Sequence, residues 1–253
     1  SGAILPEIKN VGTITATTTT GDAVVLSLEE SAKVDKLVNS GLMQAKSTSV
    51  TGDAFTIVDK SGTLKVIENT GTISAIETIG ADVKGLPITT TGTAIDLSTS
   101  KADVTILNKG TIAGDVLFGL GADTYTLDGG TQTGTVDFGE GENTFVLNKA
   151  TFSGDLLATK GVVDLEVKAS TFAIVSEDGA REFWRIYLEQ FESIQSDFSQ
   201  VIEADGNFAL QWTSEGELKD GKSVKYRGVS LVQTEEGKVV KFDAYYDTTP
   251  FKS

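Results

Sequence analysis

Short runs of apolar and β-branched residues, separated by turn residues, cover the first two thirds of the chain. Ala23-Val-Val-Leu-Ser27, Ala54-Phe-Thr-Ile-Val58, Ala94-Ile-Asp-Leu-Ser98 and Asp103-Val-Thr-Ile-Leu107 each predict a short strand. Past residue 175 the pattern changes. Gly179-Ala-Arg-Glu-Phe-Trp-Arg-Ile-Tyr-Leu-Glu-Gln-Phe191 has apolar residues at helical spacing and predicts a helix near 179–195. Four strands are then expected over 199–204, 207–216, 223–233 and 238–246. Turns are expected at Asp205-Gly206-Asn207, Lys219-Asp220-Gly221 and Glu235-Glu236-Gly237. The Asp-Gly pairs at 205–206 and 220–221 are strong hairpin signals.

The strand-rich part repeats itself. Thr111-Ile-Ala-Gly114, Thr131-Gln-Thr-Gly134 and Thr151-Phe-Ser-Gly154 follow one another at 20-residue intervals. Two of the copies continue into Phe118-Gly-Leu-Gly-Ala-Asp-Thr-Tyr125 and Phe138-Gly-Glu-Gly-Glu-Asn-Thr-Phe145. A fixed short period means one structural unit stacked on itself, and 20 residues is about one coil of a β-solenoid. A looser repeat precedes it: Asn10-Val-Gly-Thr-Ile14, Asn39-Ser-Gly-Leu-Met43, Asn69-Thr-Gly-Thr-Ile73 and Asn108-Lys-Gly-Thr-Ile112. Gly21-Asp-Ala23, Gly52-Asp-Ala54 and Gly92-Thr-Ala94 follow the first three of these. Asn and Gly tolerate positive φ, so the Asn-x-Gly units are expected to form bends. The apolar residue after each unit is then expected to point into the stack.

All three arginines (Arg181, Arg185, Arg227), both tryptophans and four of the five tyrosines lie beyond residue 172. That shift predicts two domains, 1–172 and 173–253. The expected fold is mainly β, a parallel β-helix joined to a small α+β domain. A solenoid end exposes unpaired backbone and apolar layers, so the second domain is expected to cap it.

The Asn-x-Gly-Thr-Ile and Gly-x-Gly-x-(Asp/Asn)-Thr-aromatic repeats resemble those of autotransporter passengers and related filamentous adhesins, over about residues 5–170. The resemblance implies a right-handed parallel β-helix and a secreted or bacterial cell-surface location. The run Asp220-Gly-Lys-Ser-Val-Lys-Tyr-Arg-Gly-Val-Ser230, with Glu236-Gly-Lys-Val-Val240 and Tyr245-Tyr-Asp247, resembles the carboxy-terminal part of SnoaL-like, NTF2-like proteins over about 179–250. It implies a partial cone-shaped α+β domain without the amino-terminal helices that close the cone. Some members of that family use an Arg-x-Asp pair and a further Asp. Gln211, Thr213 and Ala244 stand at those places here, Asp243 is one residue off, and Asp247 matches a usually structural residue. An enzyme of this kind, an isomerase, hydrolase or cyclase, is therefore an alternative to a non-catalytic module.

Charge and composition narrow the chemistry. The net charge is −15, from 36 acidic and 21 basic residues. This argues against a nucleic-acid partner, whose phosphates need a concentrated basic face. Histidine and cysteine are both absent, which excludes Ser-His-Asp and Cys-His catalysis, disulfides and His- or Cys-ligated zinc. A hard cation on oxygen ligands stays possible. The Gly-x-Gly-x-Asp units also resemble calcium-binding β-roll repeats, and Asp115, Asp123, Asp137 and Asp155 are the candidate calcium ligands; otherwise the glycines serve turn geometry. No cofactor is expected beyond that calcium. Acidic residues on neighbouring coils would lie about 4.8 Å apart, and paired carboxylates of this kind make a carbohydrate-active β-helix enzyme a further alternative. Lys101, Lys109, Lys149 and Lys160 are the available cations, but fit no motif.

No run of about 18 apolar residues predicts a membrane-spanning helix. Ser1-Gly-Ala3 reads as a processing remnant, so the lack of a signal peptide does not argue against export. Ligand or interface candidates are Trp184, Trp212, Tyr226, Arg227, Asp243 and Tyr245. A glycan or protein surface is the expected partner. With the cone's helices missing, Trp212, Tyr226, Val229, Leu231 and Tyr245 are expected to be partly uncovered. That predicts a homo-oligomer built on the second domain.

Overall fold

The computed structural model describes residues 4–175, 177–204, 206–235 and 238–246. The expected turn residues Asp205, Glu236 and Gly237, the remnant Ser1–Ala3 and Asp247 lie outside them. The chain divides into two compact units, Ser1–Thr171 and Phe172–Ser253. No helix among the described residues is long and apolar enough to cross a membrane.

The first unit is made of parallel strands in three sheets. The chain visits the sheets in rotation: Ile4–Asn10, Thr13–Thr18 and Ala23–Leu28, then Lys33–Asn39, Leu42–Ser47 and Ala54–Asp59, and so on. Each set of three strands forms a rung that pairs with the next, an arrangement compatible with a solenoid. The first sheet has seven strands and the third has six.

Inward positions form apolar columns in strict register. In the first sheet Leu37, Ile67, Ile106, Tyr125 and Phe145 lie opposite one another. In the second they are Ile14, Met43, Ile73, Ile112, Gln132 and Phe152. In the third they are Leu26, Ile57, Ile95, Val116, Val136 and Leu156. Met43 is 1% exposed and Ile73, Ile112 and Phe152 are sealed, whereas Ile14 in the first rung is 42% exposed. Ile14 lacks a rung on one side. Full burial of one such side chain is worth about 1.5–3 kcal/mol.

The Asn-x-Gly units stack as the spacing predicts, with Asn10, Asn39, Asn69 and Asn108 in register. Their function differs from the expected one, because neither these asparagines nor Gly12, Gly41, Gly71 and Gly110 adopt positive φ. The asparagines instead point inward and form a ladder. Asn10 Nδ2 donates to Asn39 Oδ1 at 2.7 Å, Asn39 to Asn69 at 2.8 Å, and Asn69 to Asn108 at 2.9 Å. Each amide also reaches the glycine carbonyl two residues on and a carbonyl of the next rung. The glycines are required by contact rather than torsion. A Cβ on Gly71 would fall on the carbonyl oxygen of Gly41, and one on Gly110 on that of Gly71.

The ladder stops at Asn108, whose in-register partner is Leu127. From there the rungs shorten to 20 residues and aromatic rings fill the interior. Phe118 stacks on Phe138 at 4.8 Å, and Tyr125 on Phe145 at 5.2 Å. The longer Asn69–Asn108 interval has a local cause. Thr72–Ala81 runs past its sheet and folds back antiparallel onto Pro87–Thr91.

The second unit holds the helix Glu177–Glu189 and an antiparallel meander of Phe191–Ala204, Asn207–Leu218, Ser223–Glu235 and Lys238–Tyr246. The helix ends six residues before the expected 195. Phe191 pairs with Leu218 and is buried in an aromatic cluster with Trp212, Val224 and Tyr226. Ladder pairing and burial outweigh the local helical pattern there.

Replacing Asn69 by Ala should remove both ladder bonds, from Asn39 and to Asn108, together with the bonds from the Asn69 amide to the Gly71 and Thr111 carbonyls. Each lost bond is worth about 0.5–1.5 kcal/mol, so the urea midpoint should fall clearly. Gly71→Ala should fall at least as far, because backbone must move. An unchanged midpoint for either variant would refute the ladder's role.

Candidate functional site

The acidic candidates of the first unit have separate structural roles. Asp115 Oδ1 accepts the Thr135 N–H at 2.7 Å. Burial raises its pKa, and the nearby Asp155 carboxylate adds to that. Asp137 Oδ1 accepts the Gly139 N–H at 2.9 Å, and Thr159 Oγ1 donates to Asp137 Oδ2 at 3.1 Å. Asp155 belongs to the same rung-to-rung column as Asp115, with Thr135 between them, and its carbonyl accepts the Val136 N–H. Among the described residues, no three carboxylates gather where they could hold a metal ion. Gly139 and Gly141 sit at φ 63° and 91°, whereas Gly119 and Gly121 do not adopt positive φ; a Cβ on Gly119 or Gly121 would instead meet the Ser100 or Ala102 carbonyl oxygen. Of the lysines considered as catalytic cations, Lys109 pairs with Asp128 at 3.1 Å and Lys160 with Glu140 at 3.3 Å, both at the surface.

Asp123 is the unusual member. It is 1% exposed. Its Oδ1 accepts the Val104 N–H at 2.8 Å, and its Oδ2 is buried without a partner. Burial is the main cause that lifts its pKa to about 6, with a smaller contribution from Asp103. In the next rung the equivalent residue is Asn143. Its Oδ1 accepts the Asp123 N–H, while its Nδ2 donates to the carbonyls of Glu140 and Gly141. The amide satisfies the corner on both sides, and the carboxylate satisfies only one.

Gln132 carries no motif and was not legible as special. It is sealed in the apolar column of the second sheet. Its Oε1 accepts the Tyr125 O–H at 2.8 Å, and its Nε2 donates to Gly114 O at 2.9 Å and Thr133 O at 3.1 Å. The only sequence signal is a polar residue at a position where its counterparts are Ile112 and Phe152.

In the second unit, strand alternation sorts the candidates onto two faces. Trp212, Ser214, Tyr226, Ser230 and Tyr246 share the face that meets the helix. Arg227, Val229, Leu231, Asp243 and Tyr245 share the other. Trp212 is 9% exposed and Tyr226 is 3% exposed, so the expected uncovering does not occur at these two. The short helix covers them through Tyr187, whose hydroxyl meets that of Tyr226. Tyr226 also bonds Ser214, and Ser214 Oγ lies 2.6 Å from Ser196 Oγ. Trp212 Nε1 donates to Ser230 Oγ at 2.9 Å. Trp184 is half-exposed and meets Tyr187 and Phe242 edge-on.

Burial raises the pKa of Tyr187 and of Tyr226, and lifts that of Tyr246 to about 12. These phenols are therefore neutral donors at ordinary pH rather than bases. Asp243 lies on the opposite face, paired with Lys241 at 3.0 Å. Ala244, opposite Ser230, occupies the helix-side position. Gln211, Arg227, Gly228, Val229, Tyr245 and Tyr246 line a shallow depression of about 360 Å³.

The SnoaL-like domain matches residues 146–242 of this chain. The match begins well before residue 179 and takes in residues 146–171, which here belong to the parallel sheets. A solved structure of TerC co-crystallised with polyporic acid is similar at 19% identity and a TM-score of 0.27, over 29% of this chain. This chain spans 57% of that structure's length. No curated protein matches the chain.

Asp123 yields a signed pH prediction. Its folded pKa lies above the ordinary value of 3.8, so the fold favours the protonated acid. Its stabilising contribution is full below about pH 3.8 and is lost as pH rises through about 6. Asp123→Asn should stabilise the protein at pH 7.5 by about 1–3 kcal/mol, the cost of an unpartnered buried group. The gain should shrink in melting curves taken at pH 4. A variant less stable at both pH values would refute this account.

Proposed function

We propose that the chain is a non-catalytic binding or structural module of an exported bacterial surface protein. In this reading the first unit is a right-handed parallel β-helix of the autotransporter-passenger or adhesin kind, and it presents a surface to glycan or protein. The second unit, a partial SnoaL-like domain, mediates self-association. The rotation of strands through three parallel sheets supports the architectural part. The acidic balance and the lack of cysteine support the exported location.

The observation that carries the non-catalytic reading is the sorting of side chains in the second unit. The helix-covered face holds aromatic rings and hydroxyls that bond one another. The positions aligned with the family's acid and base are Gln211, Thr213 and Ala244, none of which transfers a proton at neutral pH. A SnoaL-like isomerase, hydrolase or cyclase is the second reading. The family match over 146–242 favours it, as does the depression lined by Arg227 and Tyr245.

Screening the intact chain for both binding and cleavage of polysaccharides separates these readings, and binding without cleavage is expected. Small-molecule turnover that disappears in Asp243→Asn would instead place the protein among the SnoaL-like enzymes. Self-association rests on the face away from the helix. Val229 is 37%, Leu231 43% and Tyr245 62% exposed there, and Val229 pairs directly with Tyr245. A contiguous apolar patch of this kind marks an interface, and closed two-fold symmetry is its commonest solution. Light scattering should give a dimer for the intact chain and a monomer for Leu231→Glu. A monomeric parent would remove this part of the proposal.

A further inference from the structure

Asn10, Val11, Gly12 and Thr13 form a corner of the first rung, and they carry the contact chemistry of a rung in mid-stack. In each later corner that chemistry faces the preceding rung. The Oδ1 atoms of Asn39, Asn69 and Asn108 accept the Nδ2 amide of the asparagine one rung before. Asn10 Oδ1 accepts the Gly12 N–H at 3.1 Å and, among the described residues, no amide. Gly41, Gly71 and Gly110 are held to glycine because a Cβ would fall on a carbonyl oxygen of the rung before. Gly12 has no positive φ, and a Cβ on it would meet nothing within 4 Å. Nothing within the fold therefore requires glycine at that position.

The backbone repeats the pattern. The N–H groups of Ser40, Thr70 and Lys109 donate to the carbonyls of Asn10, Asn39 and Asn69. Those of Leu42, Thr72 and Thr111 donate to the carbonyls of Gly12, Gly41 and Gly71. The equivalent donors in the first rung, Val11 N–H and Thr13 N–H, lie on its open edge. Leu5 is 46% and Ile14 42% exposed, whereas their in-register neighbours Val34 and Met43 are each 1% exposed. Open edges are normally guarded by proline or charged residues. Pro6 and Lys9 stand before the corner, but from Asn10 to Thr20 there is neither proline nor charge.

These groups specify what would sit on them. An Asn-x-Gly segment seated parallel would place its asparagine carbonyl on Val11 N–H and its glycine carbonyl on Thr13 N–H, over the bare Cα of Gly12. Its amide would reach Asn10 Oδ1, and its next apolar residue would cover Ile14. A folded second copy does not offer such a segment at the far end of its stack, where the same column runs Asn108, Leu127, Leu147 and Val167. We propose that the open corner of the first rung captures an extended Asn-x-Gly segment of another polypeptide, which pairs with it as a further parallel rung. Adding a strand to an exposed sheet edge is an established mode of peptide recognition, with main-chain bonds giving affinity and side-chain positions giving specificity. This goes beyond the glycan- or protein-presenting face and the self-association proposed above, because it uses the end of the stack and stands on the rung-to-rung interface alone.

The test titrates the intact chain into a fluorescein-labelled peptide of the chain's own sequence Leu37–Ser47, read by fluorescence polarisation. Saturable binding is expected. Asn39→Leu in the peptide removes the amide and keeps the bulk, and should weaken binding about tenfold, a loss of about 1.4 kcal/mol. Gly12→Ala in the protein puts a Cβ where the incoming carbonyl must lie, and should abolish binding. That Cβ meets nothing in the free protein, so the urea midpoint of Gly12→Ala should equal the parent's, unlike that of Gly71→Ala. Thr13→Pro, which deletes a donor on the open edge, is a second variant with the same expected loss. Leu231→Glu, in the second unit, should bind the peptide like the parent. Absence of saturable binding overturns the proposal, as does binding that survives both Gly12→Ala and Thr13→Pro or that ignores Asn39→Leu.

Discussion

The contact between one rung and the next sets the terms for the whole first unit. Parallel strands satisfy their backbone only by pairing with a copy of themselves one rung away, so any residue that departs from register disturbs every column at once. At the Asn-x-Gly corners the approach is so close that a carbonyl occupies the space a Cβ would need. A buried asparagine is tolerated beside it because the neighbouring rung supplies another asparagine at 2.7–2.9 Å. The glycine and next-rung carbonyls take further bonds from the same amides, so no polar group of the ladder is left unpaired in the dry interior. The glycine column and the asparagine ladder are thus two consequences of one stacking distance.

The second unit solves a different problem. Its strands are joined by short connections and pair antiparallel, so stability comes from local contacts and from one aromatic cluster under a single helix. The cluster is large for so short a helix, and its polar atoms turn inward on one another. Tyr187, Tyr226, Ser214 and Ser196 form a line of hydroxyls from helix to sheet edge. That arrangement rigidifies the helix-covered face and leaves Arg227 and Asp243 on the other side.

Much of the first unit was legible because stacking writes itself into sequence as a period. The 20-residue spacing of Thr111, Thr131 and Thr151 and the Asn10-Asn39-Asn69-Asn108 series both translate directly into register. The reasons behind the motifs were less legible. Asn-x-Gly suggests a positive-φ bend, and only coordinates reveal that sterics and a side-chain ladder require it. Gln132 has no local signature, since its partners Tyr125 and Gly114 lie 7 and 18 residues away. In the second unit the strands were foreseen, but the helix end at Glu189 was not, because it depends on Phe191 pairing with Leu218. The burial of Trp212 and Tyr226 was missed for a similar reason: one turn of helix carrying Tyr187 covers what an entire missing set of helices was expected to cover.

The hairpin formed by Thr72–Ala81 and Pro87–Thr91 leaves the stack and returns to it with the pairs before it intact and one bulge after it, between Thr93 and Ile95. Equivalent positions are separated by 29, 30, 39 or 20 residues, yet all remain in line. Length is therefore decoupled from register in this architecture. Peripheral segments are free to lengthen, diverge or be exchanged between lineages while the interior is held constant. Novelty can accumulate at the tip around Asp82–Leu86, a tight turn closed on itself by the Asp82 side chain, without renegotiating the core.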